Sequence, residues 1–118
     1  MAAVDPKLQA SLNRIRLRFL SVLDERLDSM ELNFDALGQA ATRDAALAGI
    51  QAEAHKIAGT ARTVGYAELG EIALTLDQTI GAGKGGGADL TQIEQLTDAL
   101  IELGAQIVNS HRMEMAAE

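Results

Sequence analysis

From Leu8 to Ile107, apolar residues return at steps of three and four with few interruptions, and this spacing restricts the chain to helices. A strand turns alternate residues to one face and cannot gather such a stripe. Proline, the strongest helix breaker, occurs once, at Pro6. Asp5 before it reads as an N-cap and the proline as the first helical residue. The first stripe then runs through Leu8, Leu12, Ile15, Phe19, Val22, Leu23, Leu27, Met30, Phe34 and Leu37, with Gly38 as its stop. A run of that length leaves room for a kink, or for a short extra helix at the N-terminus.

A second helix is expected from about Thr42 to Asp44 onward, with Leu47, Ile50, Ala54, Ile57, Ala61 and Val64 as its stripe and Gly65 as its end. The third starts near Tyr66 and carries Leu69, Ile72, Ala73, Leu76 and Ile80. It meets GAGKGGGAD, Gly81 to Asp89, a stretch too rich in glycine to hold a helix and read as a linker. A phosphate loop is not expected there, because no Gly-Lys-Ser/Thr follows and the preceding element is a helix. Asp89, with Gln92 at the capping-box position, opens a last helix bearing Leu90, Ile93, Leu96, Leu100, Leu103 and Ile107. No one of the four can bury its stripe alone. The predicted fold is all-α, an antiparallel up-down four-helix bundle forming one domain over residues 1–118.

Composition agrees and excludes several functions. Ala, Leu and Ile dominate an apolar fraction of 47%, and aromatics are only 3%, a mix that suits helices better than sheets. With no cysteine, neither a disulfide framework nor a thiolate metal site can form. A formal net charge of −7 argues against nucleic acid as a partner. No long uninterrupted apolar run predicts a membrane span, MAAVDPKLQA lacks a secretory pattern, and a cytoplasmic location is expected.

The residue that stands out is His55. At about 100° per residue, it lies roughly 130° from the centre of the second helix's apolar stripe, so it faces away from the core. Gln51, Ala52, Ala58, Gly59 and Arg62 fall within roughly a quadrant of it. Three of those five are very small, so the imidazole is expected to stand above a bare surface fit for docking. Arg62 lies along the helix from it and Lys56 beside it, two cations able to support a phosphoryl group. Ordinary solvated charges would fit the same pattern. His111 has no motif around it, and a metal site pairing it with His55 is not expected, since the Glu-x-x-His pattern of bundle metal sites has Ala52 in place of the glutamate.

The stretch HKIAGTARTVGYAELGEIALTLDQ, His55 to Gln78, resembles histidine phosphotransfer domains, including the first (P1) domain of chemotaxis-type histidine kinases. The shared pattern is His55, Ile57, Gly59, Thr60, Gly65 and Tyr66, followed by Leu69, Leu74 and Leu76. Many members place a lysine three residues after the histidine; this chain has Ala58 there and Lys56 next to the histidine. In chemotaxis-type kinases an acidic residue of the third helix contacts Nδ1 of the histidine, and Asp77 falls at the matching offset. An ordinary surface aspartate fits that position equally well.

The resemblance implies a phosphocarrier of two-component signalling. His55 would accept a phosphoryl group from a histidine kinase, or exchange it with an aspartate of a response-regulator receiver domain. No cofactor is expected on this chain, and Mg²⁺ is expected in the partner receiver or kinase. The chain lacks the glycine motifs of nucleotide-binding kinases, so most of the catalytic machinery would belong to the partner. A free-standing transfer protein and a P1 domain of a larger kinase both fit, and a non-catalytic helical adaptor is the reading from another class.

Overall fold

The structure is a computed structural model, and it describes residues 5–83 and 89–117. Four helices follow one another: α1 (Pro6–Ala36), α2 (Ala40–Ala61), α3 (Ala67–Ala82) and α4 (Leu90–Ala116). Each packs on the next and α4 closes back on α1. Specific pairs show the antiparallel register. On α1 and α2, Arg26 meets Glu53 while Asn33 lies by Gly49; on α2 and α3, Gln51 meets Asp77 while Arg62 meets Glu71; on α1 and α4, Asp24 meets Arg112 while Leu27 lies by Gly104.

The caps follow from local chemistry. Asp5 accepts from Lys7 N at 2.9 Å with Pro6 in the first turn, and Asp89 Oδ1 accepts from Gln92 N at 3.1 Å. Between α2 and α3, Gly65 N–H donates to Arg62 O and Tyr66 N–H to Ala61 O, a Schellman closure. It requires a left-handed residue, supplied by Gly65 at φ 101°.

Four expectations are corrected. α1 is one continuous helix of 31 residues, with neither a break nor a separate N-terminal helix among the described residues. Its stripe is not buried throughout: Leu8 is 54% and Ile15 45% exposed, and full burial begins at Phe19. The cause is length, because α1 spans about 46 Å while its antiparallel neighbour α2 spans about 33 Å and ends at Ala61, short of the first turns of α1. α2 begins at Ala40 rather than at Thr42, whose hydroxyl instead donates to Ala36 O at 2.7 Å and ties α2 to the end of α1. Finally, Gly81 and Ala82 are helical and α3 closes at Gly83; the rest of the expected glycine linker, residues 84–88, lies outside the described residues.

In α4 the buried line is Ile93, Thr97, Leu100, Gly104 and Val108, while Leu96, Leu103 and Ile107 are only half-buried. Thr97 tolerates burial because its hydroxyl donates to Ile93 O at 2.7 Å. Gly104 is needed for close approach, since a Cβ there would lie 2.8 Å from Leu27 Cδ2. In α2 the buried line is Ala46, Ile50, Ala54, Ile57 and Ala61, which leaves residue 55 on the opposite side.

Candidate functional site

His55 sits on α2 between buried Ala54 and buried Ile57, and its own side chain is 78% exposed. The helix thus buries its small and branched neighbours and projects the imidazole to solvent. Its Nδ1 lies 2.9 Å from Oδ2 of Asp77 on α3. A carboxylate can only accept, so this bond takes a proton on Nδ1, and in the neutral ring the lone pair is then on Nε2. The Asp77 side chain is only 17% exposed. Its other oxygen, Oδ1, accepts from Gln51 Nε2 at 3.1 Å. α2 and α3 therefore share a short polar chain, Gln51–Asp77–His55.

The other expected site residues separate into distinct places. Gln51, expected on the bare surface around His55, is half-buried with its amide turned to Asp77. Ala58 is half-buried and packs against the core. Ala52 and Gly59 are exposed, and a Cβ built on Gly59 would meet nothing within 4 Å. The bare surface beside His55 thus consists of Ala52 and Gly59.

Neither expected cation is hydrogen-bonded or ion-paired to the Gln51–Asp77–His55 chain. Arg62, at the C-cap of α2, is turned to Glu71 of α3 at 3.5 Å. Both side chains are largely exposed, and such a pair contributes about 0–1 kcal/mol. Lys56 lines a groove between α1 and α2 with Ile15, Arg18, Phe19, Val22, Arg26 and Thr60. There Arg26 is held by Glu53 at 3.0 Å, whereas Lys56 and Arg18 have no carboxylate within 4.0 Å among the described residues. Sequence reasoning missed Arg18 and Arg26 as neighbours of this site. The signal was present, since both follow the α1 stripe by residue spacing, but it becomes informative only once the register of α1 against α2 is known.

His111 is remote from His55. It lies on the α1–α4 side in a cavity lined also by Arg16, Tyr66 and Gln106. Among the described residues no group of three or more His, Asp or Glu side chains is placed to hold a metal ion. No helix among them is long and apolar enough to cross a membrane.

A four-helix bundle that raises one histidine above a small-residue surface, with its Nδ1 bonded across the helix pair, is an architecture suited to carrying a group on Nε2. The family model for the Hpt domain matches residues 14–106, from the first third of α1 into the second half of α4. The chain belongs to the Hpt domain family. That family carries out histidine phosphotransfer in phosphorelay signalling and interacts with the response-regulator receivers of two-component systems. Neither the curated proteins nor the solved structures contain a match.

Proposed function

We propose that His55 is the phosphoacceptor, and that the chain exchanges a phosphoryl group between this histidine and an aspartate of a receiver domain, or receives it from a histidine kinase. The observation that carries the reading is the bond from Nδ1 of His55 to Asp77, which leaves an exposed Nε2 as the nucleophile.

The partner brings the phosphoaspartate and its Mg²⁺. Nε2 attacks phosphorus in line, the N–P bond forms, and the P–O bond to the aspartate breaks, returning a carboxylate to the partner. The ring now carries substituents on both nitrogens and a positive charge. Asp77 meets that charge at the retained Nδ1–H, so the contact seen at 2.9 Å strengthens as the bond forms. The reverse step releases the same lone pair. Beyond a positioned nucleophile, the chemistry is supplied by the partner.

Incubation with a receiver domain charged from acetyl phosphate tests the exchange. The chain should take up label that is acid-labile and base-stable, as a phosphoramidate is. An uncharged chain after prolonged incubation with several charged receivers would overturn the phosphocarrier reading.

Lys56 and Arg62 are proposed to support the phosphoryl oxygens once a partner closes over the site. A charge-assisted contact contributes about 1.5–3 kcal/mol when desolvated. Both side chains are exposed in the isolated domain, so a smaller effect is expected, on the order of three- to tenfold in transfer rate for Lys56→Ala or Arg62→Ala. Arg62 must first leave Glu71, so Glu71→Gln should not slow transfer. Rates for both alanine variants equal to wild type would show that the two are solvated charges only.

A further inference from the structure

Nothing in the family pattern requires a glutamine one turn before the histidine, yet Gln51 is built into the site. Its amide Nε2 lies 3.1 Å from Asp77 Oδ1 and 3.4 Å from the Asp77 carbonyl oxygen. The first contact uses the carboxylate oxygen that His55 does not. With Oδ1 on Gln51 and Oδ2 on His55, both ends of the carboxylate are committed, and its plane is set by two partners on the same helix. An aspartate reaches a neighbouring helix through only two rotatable bonds, and without the amide its carboxylate is free to turn toward water.

The berth for that amide comes from α3. Gly81 follows Asp77 by one turn on the same face, and a Cβ built on it would lie 3.3 Å from Gln51 Nε2. A side chain there would press on the amide. Gly81 stands in the last turn of α3, where it leaves the space that the amide fills. Three positions on two helices, 51, 77 and 81, therefore fit one another around a single contact to the histidine.

We infer that Gln51 is a positioning residue for phosphotransfer: it holds the Asp77 carboxylate in the orientation that keeps the His55 proton on Nδ1 and its lone pair on Nε2. It touches neither the phosphorus nor the reacting nitrogen. The inference rests on the reading of His55 as the phosphoacceptor.

The test uses Gln51→Met, which keeps length and bulk but removes the donor, and Gln51→Glu, which keeps the shape and turns a second carboxylate toward Oδ1. Gly81→Val displaces the amide without altering residue 51. Two readouts are taken on each: the ¹⁵N signals of the His55 ring, which report the tautomer, and the rate of phosphorylation by phosphoramidate, a donor too small to need a docking surface. The wild type should show one tautomer, protonated on Nδ1. In Gln51→Met the ring should become a mixture of tautomers and the rate should fall about fivefold, the effect of one net hydrogen bond. Gln51→Glu should lose at least as much, and Gly81→Val should change both readouts in the same direction. Melting curves identify any variant that has unfolded, and the remaining variants decide. An unchanged tautomer and rate in the folded variants, with the wild type labelled on His55, would overturn the inference and leave the phosphoacceptor reading standing. A wild type that takes no label on His55 would overturn that reading itself.

Discussion

His55→Gln should accept no phosphoryl group from any charged receiver or small phosphodonor, whereas His111→Gln should be labelled at the wild-type rate. The reason is positional. His55 projects from α2 with Nε2 free and Nδ1 bonded, while His111 is half-buried in a different part of the bundle, between α1 and α4. Glutamine retains a polar side chain of similar reach but has no nucleophilic nitrogen, so the fold should persist, and the loss is complete rather than graded. The His55 imidazole is largely exposed and lies outside the hydrophobic core, so the substitution should move the melting temperature little. Labelling that survives in His55→Gln would place the acceptor elsewhere.

The second large effect is expected at Gly59, and it separates docking from chemistry. This glycine lies one turn after His55 on an exposed helix face, in open space. Gly59→Ala should stabilise the domain by up to about 1 kcal/mol, because glycine is a poor helix former and nothing stands in the way of the added methyl. Gly59→Glu should also fold, since its side chain points to solvent. It should nevertheless slow exchange with a receiver by at least about tenfold, because a long charged side chain would occupy the surface over which the partner must bring its aspartate. Its reaction with phosphoramidate should stay within about twofold of wild type. A melting curve and the two rates check this. A Gly59→Glu protein that exchanges with the receiver at the wild-type rate would move the docking surface elsewhere.

The orientation of His55 was legible because a helix wheel needs only spacing: Ile50, Ala54, Ile57 and Ala61 define the buried side and so place residue 55 outside. The caps at Asp5 and Asp89 and the turn at Gly65 were legible for the same local reason. What spacing cannot supply is the register of one helix against another. The Gln51–Asp77 contact, and the nearness of Arg18 to Lys56, exist only once that register is set. Residue size also misled in α4. Thr97 and Gly104 lie on the buried line because a self-satisfied hydroxyl and a missing side chain let α4 approach α1, while the larger Leu103 takes an edge position. The exposure of Leu8 and Ile15 depends on the lengths of the neighbouring helices, which no stripe on α1 can reveal.

Nitrogen-15 and phosphorus NMR of the protein, labelled at histidine and phosphorylated by a charged receiver, addresses the acceptor atom itself. The expected spectrum has one phosphohistidine, at His55, with phosphorus coupled to Nε2 and the proton retained on Nδ1 facing Asp77. His111 should remain unmodified. Phosphorus coupled to Nδ1 of His55 would contradict the geometry on which the mechanism stands, and phosphorus on His111 or on a carboxylate would contradict the role of His55 altogether.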